Sequence, residues 1–326
     1  MSVLGDGAAS IDAFLAAMRA LAEPTRLRIA ALCAATELTV TELTQILGQS
    51  QPRVSRHLKV LVEAGALRRR TEAGWAFYGL DAAASGGAVA RGVLALAPTD
   101  ASDLAADRAR LDTIQAERAA RAQAYFEANA PRWDEIRALH VDEAEVERAV
   151  LAAAPAGPIG RFIDIGAGTG RLLSLLAPRT VEAIGVDVSH AMLEVARTQL
   201  AANGVANATL RLADMYRLPL DDGACDLAAI HQVLHFADKP AAAIAEAARV
   251  LKPGGRLIVV DFAPHDEERL RDEHAHRRLG FAPDAVAGWC AAAGLDPQPA
   301  VALPGGTLTV LVWAADRPAE TLRKSA

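Results

Sequence analysis

Aromatic residues are scarce in this chain: Phe, Trp and Tyr make up 4 % of its 326 residues. Its cores must therefore be packed from aliphatic side chains. Cysteine is scarcer still. Cys33, Cys225 and Cys290 lie far apart with no Cys-x-x-Cys pair, which argues against a disulfide framework and a zinc knot. They read as small buried apolar residues in a reducing compartment. No apolar run approaches the length needed to cross a bilayer, and Met1-Ser2-Val3-Leu4-Gly5-Asp6 places no cationic segment ahead of one. A soluble, cytoplasmic protein is the expectation.

Charge is present but unevenly placed. The formal net charge is −6, yet residues 1–98 carry 10 Lys and Arg against 8 Asp and Glu, so the acidic excess lies wholly in the remainder. Between Arg53 and Arg70 six basic residues meet one acid, Glu63. The local field there favours phosphate although the global one does not. A chain of 326 residues also exceeds what one ordinary core serves, which predicts two domains.

In residues 1–98, Phe14, Leu15, Met18, Leu21 and Ala22 share a helical face, and Pro24-Thr25 opens a second helix through Leu27, Ile29, Ala30 and Leu32. Val40 to Leu47 reads as a short third helix stopped by Gly48. Ser50 is placed to cap the next helix, whose Val54, Leu58 and Leu61 face inward while Gln51, Arg53, Ser55, Arg56 and Lys59 face out. Such a helix fits the major groove, where its outward side chains reach base edges and phosphates. Two strands about Ala73-Gly74, with Arg69 and Arg70 on the first, read as a wing. The stretch from Leu21-Ala22-Glu23-Pro24-Thr25-Arg26 to the wing resembles the ArsR/SmtB family of winged-helix repressors. In metal-sensing members a Cys-x-Cys pair occupies the third helix. The matching stretch here, Glu37-Leu38-Thr39-Val40-Thr41-Glu42-Leu43, has threonine in both thiol positions, and hydroxyls are poor ligands for soft metals. Residues 81–96 hold no His pair for the family's other site, so no metal is expected. The resemblance implies a homodimer built by the first helix and the helix after the wing (Ala82 to Leu96). That dimer would set two recognition helices one DNA turn apart on a palindromic, double-stranded operator. A winged helix that only dimerises is the alternative; the outward Arg53, Arg56 and Lys59 favour DNA.

Residues 99–150 read as a helical linker and lid. Ala101 to Gln123 is rich in Ala, Arg and Glu with Leu104, Leu111 and Ile114 at helical spacing, which predicts a long, charged, semi-rigid helix. Tyr125, Phe126 and Trp133 then gather aromatics that are rare elsewhere. Packing against the second core and a lid over a ligand are both open readings.

Residues 151–315 alternate strands and helices, with strands beginning at Arg161, Ala183, Thr209, Asp226 and Arg256 and two closing strands at 299–303 and 308–313, before a tail at 316–326. The expected fold is α/β: the winged helix-turn-helix domain, joined by the helical linker to a doubly wound, seven-stranded Rossmann-like sheet. The sheet's ligand belongs at the carboxyl ends of the strands. Phe162-Ile163-Asp164-Ile165-Gly166-Ala167-Gly168-Thr169-Gly170 runs from strand into glycine turn. Its spacing differs from the Gly-x-Gly-x-x-Gly of dinucleotide sites, and Asp164 suits an ammonium better than a phosphate. Asp187, ending the second strand, is placed to accept both ribose hydroxyls, and Asp214-Met215, after the third, to cradle an adenine. In this order the motifs resemble class I S-adenosylmethionine-dependent methyltransferases, with Arg249-Val250-Leu251-Lys252-Pro253-Gly254-Gly255 matching their turn into strand five. The resemblance implies S-adenosylmethionine or S-adenosylhomocysteine as ligand, without metal. Asp164, Gly166, Gly168, Gly170, Asp187 and Asp214 then carry the family's roles, and Val188, Met192, Met215, His231 and Tyr125 complete the contacts.

After the fourth strand comes His231-Gln232-Val233-Leu234-His235-Phe236, where an acceptor would meet the ligand. Two roles are open for His231: catalytic base toward a thiol, hydroxyl or amine, or a ligand contact that caps the strand. Residues 265–281, rich in His, Arg and acids, read as a polar flap or a contact to the linker helix. His274 and His276, two apart, do not share a helical face as a metal pair would. An arsenic methyltransferase would need cysteines around the acceptor that Cys225 and Cys290 do not supply. Three functions compete: a repressor whose second domain senses the adenosyl ligand and so the methyl cycle, an enzyme that methylates a small molecule and represses its own gene, and an enzyme whose winged helix only dimerises it.

Overall fold

Caps and stops delimit the N-terminal helices. The computed structural model describes residues 11–72, 75–81, 84–98, 101–133 and 142–319. Helices α1 (Ile11–Leu21) and α2 (Pro24–Ala35) lead into strand β1 (Leu38–Thr39), α3 (Val40–Leu47) and α4 (Gln51–Glu63). Pro24 opens α2 and the Glu23 carboxylate accepts the Arg26 amide at 2.8 Å. Thr39, in a would-be thiol position, instead closes a capping box: its hydroxyl accepts the Glu42 amide while Glu42 accepts the Thr39 amide. Gly48 ends α3 in the left-handed conformation, φ 64°.

Ser50 does take the N-cap position of α4, but its side chain makes no capping hydrogen bond. The reason is local. Pro52 has no amide to offer, and the Arg53 amide already donates to the Ser50 carbonyl at 3.0 Å.

Strands β2 (Leu67–Glu72) and β3 (Trp75–Leu80) form an antiparallel hairpin that pairs with β1 in the order β1-β3-β2, and α5 (Ser85–Leu96) follows. The expected turn at Ala73-Gly74 lies outside the described residues, as do Ala82 and Ala83 at the expected start of α5. Val54, Leu58 and Leu61 of α4 are buried with Ile29, Leu43 and Ile46 in one aliphatic core.

The long helix α6 (Ser102–Asn129) joins that core rather than leaving it. Leu111 and Ile114 are buried there. Asp107 receives both arms of Arg28 at 2.6 and 2.7 Å, Arg110 donates to the Ile46 carbonyl at 2.9 Å, and Arg118 pairs with Glu42. The chain accordingly divides into compact units Met1–Ala119 and Ala120–Ala326, the division falling inside α6 rather than at Pro98.

In the second unit α7 (Glu143–Ala153) precedes β4 (Ile159–Ile165), α8 (Arg171–Leu176), β5 (Thr180–Asp187), α9 (His190–Ala202), β6 (Ala208–Leu212) and β7 (Cys225–His231). Then follow α10 (Pro240–Val250), β8 (Leu251–Phe262), α11 (Arg269–Glu273), α12 (Pro283–Ala292), β9 (Asp296–Pro297), β10 (Val301–Pro304) and β11 (Thr309–Asp316). The sheet runs β10-β11-β8-β7-β4-β5-β6, with the two-residue β9 beside β11 as an eighth strand that the sequence pattern did not signal. Strands β4 to β8 are mutually parallel and β11 is antiparallel to β8. Ile163, Ile165, Ile184, Val186, Ala228, Ile230, Leu257 and Val259 fill the sheet's interior, as parallel strands covered on both faces require. Cys33, Cys225 and Cys290 are buried free thiols, burial pushing Cys225 and Cys290 each up to about 11. No helix among the described residues is long and apolar enough to cross a membrane.

Candidate functional site

Strand order reverses at β4, which has β5 on one side and β7 on the other, and ligands of wound sheets bind at such a switch point. A cavity sits there, where small-molecule sites of wound sheets are found. β4 delivers the buried Asp164 carboxylate to its lining. The glycine loop follows, with Gly166, Gly168 and Gly170 all at positive φ (75°, 50° and 82°), a region side chains resist. A Cβ on Gly166 would also lie 2.4 Å from a methyl of Val233. At Gly168 the nearest group is the Trp133 indole, its nitrogen 3.7 Å from where a Cβ would be, so this backbone faces the cavity.

The loop is tied to β5. The Gly166 and Ala167 amides both donate to the Val186 carbonyl at 2.8 and 2.9 Å. Asp187 accepts the Gly168 amide on one carboxylate oxygen at 2.9 Å and the Ser189 amide on the other at 2.8 Å. Burial raises the Asp187 carboxyl above its ordinary range, and the backbone bonds pull it partly back. A carboxylate offers about four acceptor positions, so each oxygen keeps capacity for one hydroxyl of a vicinal pair. Val188, Met192, Ala213 and Met215 line the wall on the β5–β6 side, and His231, Gln232, Val233 and Phe236 line it on the β7 side.

Three residues expected at the site do not line the cavity themselves. Asp214 is exposed and its carboxylate accepts the Tyr216 amide at 3.0 Å in a turn after β6, which leaves the wall to Ala213 and Met215. Gly170 begins α8 as its N-cap, against Ala196 and Leu200, and does not line the cavity. The Tyr125 hydroxyl is 2.6 Å from His274 Nδ1, and its neighbour Phe126 takes the wall position. The aromatic segment thus both packs and lines the cavity.

Two features escaped the sequence analysis. Gln232 adopts a positive φ of 54° on the cavity wall, a strained state for a non-glycine residue that clusters at functional sites. The other is a buried pair: His235 Nδ1 lies 2.8 Å from Asp261 Oδ1, and the His235 amide donates to Asp261 Oδ2 at 3.2 Å. The His235 ring stacks on His276 at 4.0 Å, and its carbonyl accepts the Arg277 and Arg278 amides. These bonds fasten the 274–278 segment to the turn after β7, so the expected flap meets both that turn and Tyr125 of α6. The available signal was an acid, Asp261, closing the apolar run Leu257-Ile258-Val259-Val260.

In the N-terminal unit Gln51, Arg53, Ser55, Arg56 and Lys59 all stand exposed on α4. The wing differs from expectation. Arg68 and Arg70 both pair with Glu37, at 2.9 and 3.1 Å, and the Arg70 guanidinium lies 4.7 Å over the Phe77 ring. Arg70 therefore braces the hairpin, while Arg69 is exposed.

A wound sheet with a buried carboxylate and a glycine loop at its switch point defines the second unit as a Rossmann-like domain of the methyltransferase type. Residues 163–259 match the family model described as methyltransferase domain, and residues 21–70 match that described as helix-turn-helix domain. The chain joins these two domains in one polypeptide. Among its relatives, the demethylmenaquinone methyltransferase of Thermus thermophilus is 38 % identical over 145 residues, 43 % of this chain and 64 % of that protein. The uncharacterized methyltransferase Rv3342 of Mycobacterium tuberculosis is 41 % identical over 100 residues, 31 % of this chain and 39 % of that one. The chain spans less than two thirds of the length of these curated relatives. A chain of the complex between the Haloferax volcanii Trm112 methyltransferase activator and its methyltransferase superposes with a TM-score of 0.52 at 21 % identity, covering 61 % of this chain and 98 % of that one, and shares the fold.

Proposed function

We propose that this protein is a DNA-binding transcriptional regulator, a repressor, whose methyltransferase domain binds S-adenosylmethionine or S-adenosylhomocysteine and couples methyl-cycle status to operator binding. The observation that carries this reading is the cavity at the sheet's switch point, whose donor set suits an adenosyl amino acid. Asp164 would hold the ammonium, Asp187 the ribose hydroxyls, and Val188, Met192 and Met215 the adenine. The exposed face of α4, with Arg53, Arg56 and Lys59, would hold phosphates and base edges, and Arg69 a phosphate beside the wing. A homodimer would present two such helices to a palindromic operator. A ligand moves the DNA-binding equilibrium only by its differential affinity for the competent and incompetent states, so the two adenosyl species must be distinguished.

A second reading, a methyltransferase acting on a small molecule, is favoured by His231 on the cavity wall at the end of β7. When bound, S-adenosylmethionine supplies an electrophilic methyl group. The His231 imidazole would take the proton the acceptor gives up, and the wall would hold the acceptor in line. The relative named as a demethylmenaquinone methyltransferase makes a quinone a class of acceptor to test.

Gel shifts on the gene's own upstream DNA, with each adenosyl compound titrated, separate these readings. An unchanged shift with either compound defeats the sensor. Absence of labelled methyl transfer to any component of a metabolite extract counts against the enzyme.

A further inference from the structure

We propose that Phe126, Trp133 and Phe236 form a specificity wall that favours a sulfonium over a thioether, so the cavity discriminates S-adenosylmethionine from S-adenosylhomocysteine by charge. The inference rests on reading the cavity as an adenosyl-ligand site.

Strand order gives the cavity a direction. Crossing the carboxyl edge from β6 to β7, the lining passes from Met215, through Asp187 and the Asp164–Gly168 loop, to His231 and Val233. A nucleoside whose base sits by Met215 and whose ribose meets Asp187 brings its sulfur to the β4–β7 side. The three rings converge there. Phe126 and Phe236 are 4.8 Å apart between centroids at 82°, Phe126 and Trp133 5.4 Å at 77°, and Trp133 and Phe236 6.4 Å. All three line the cavity, and the Trp133 indole overhangs Gly168.

The chain has only seven Phe and four Trp; Phe281 and Trp313 serve the sheet core, while Phe126, Trp133 and Phe236 line the cavity. Rings gathered on one cavity wall offer what aliphatic side chains cannot, an electron-rich π face. A cation within about 6 Å of such a face is attracted, most strongly where water is excluded. The neutral thioether forgoes that attraction. The Asp164 and Asp187 carboxylates also line the cavity and attract cationic groups, and the Arg171 guanidinium is paired with Glu147. Exchanging the rings for leucine removes the π contribution while leaving these charges in place.

Calorimetry with S-adenosylmethionine and S-adenosylhomocysteine tests the proposal without needing turnover. Wild type is expected to prefer the sulfonium by about tenfold. In the Phe126→Leu/Phe236→Leu variant, apolar but without π faces, the ratio of the two affinities should fall toward one while S-adenosylhomocysteine binding changes by less than about threefold. Retained thioether binding also reports that the variant is folded, and Trp133→Phe, which keeps a ring, should keep the preference. A preference unchanged in the leucine variant, equal loss of both ligands from a folded variant, or tighter thioether binding by wild type overturns the wall but leaves the adenosyl site standing. Binding of neither compound by folded wild type removes the site itself.

Discussion

Asp187 holds the glycine loop as well as facing the cavity. Each of its oxygens already accepts a backbone amide, so Asp187→Ala frees the Gly168 and Ser189 amides and removes the acceptor for a sugar. Hydrogen bonds to charged groups contribute about 1.5–3 kcal/mol each. Calorimetry should then show adenosyl affinity lower by about a hundredfold, with gel shifts of ligand-free DNA complexes unchanged. The neighbouring acids show what spacing can and cannot reveal. Asp164, near the end of β4, and Asp187, at the end of β5, both reach the cavity lining. Asp214 lies two residues past the end of β6, in a turn whose Ala213 and Met215 line the cavity.

At the level of elements, α6 looked like a charged connector because its sequence alternates Ala, Arg and Glu. One buried acid changes its role. Asp107 is 1 % exposed and bonded to both arms of Arg28, and removing one partner of such a pair leaves a buried charge uncompensated. Asp107→Ala should destabilise the N-terminal unit by about 3 kcal/mol in a urea melt, and Arg28→Met/Asp107→Leu should restore most of it. An unchanged midpoint in the single variant would place α6 outside the core. The wing is a similar case. Sequence shows three consecutive arginines but not that Glu37, some thirty residues upstream, engages two of them. Glu37→Gln should free cationic charge on the wing, next to the proposed DNA-binding face. DNA affinity should rise, and log K against log salt should steepen by about one for each cation that reaches a phosphate.

For the whole molecule, stability against acid follows from its ion pairs. The Arg256 hydrogen bonds hold the Asp316 carboxyl below its ordinary range, and those of Arg249 do the same for Glu246. A carboxyl lowered on folding contributes stability that is present above its unfolded value and lost as pH falls through its folded one. Asp187, raised by burial, acts with the opposite sign. Calorimetric scans should therefore show the C-terminal unit melting lower as pH drops below about 4, and Asp316→Asn should flatten that slope. The division into a winged helix and a wound sheet was legible because helical and strand periods are set by residues close in sequence. The His235–Asp261 and Arg28–Asp107 pairs were not, nor was the meeting of Phe236 with the Phe126–Trp133 cluster, since each joins side chains that only the folded chain brings together.

One property of the glycine loop bears on how any ligand would enter the cavity. Gly166, Ala167 and Gly168 have their amides bonded within the protein, to Val186 and Asp187. Those three protons should resist deuterium exchange, and equal protection with and without an adenosyl compound is the outcome expected of docking onto a preset cradle rather than of a loop that orders around its cargo.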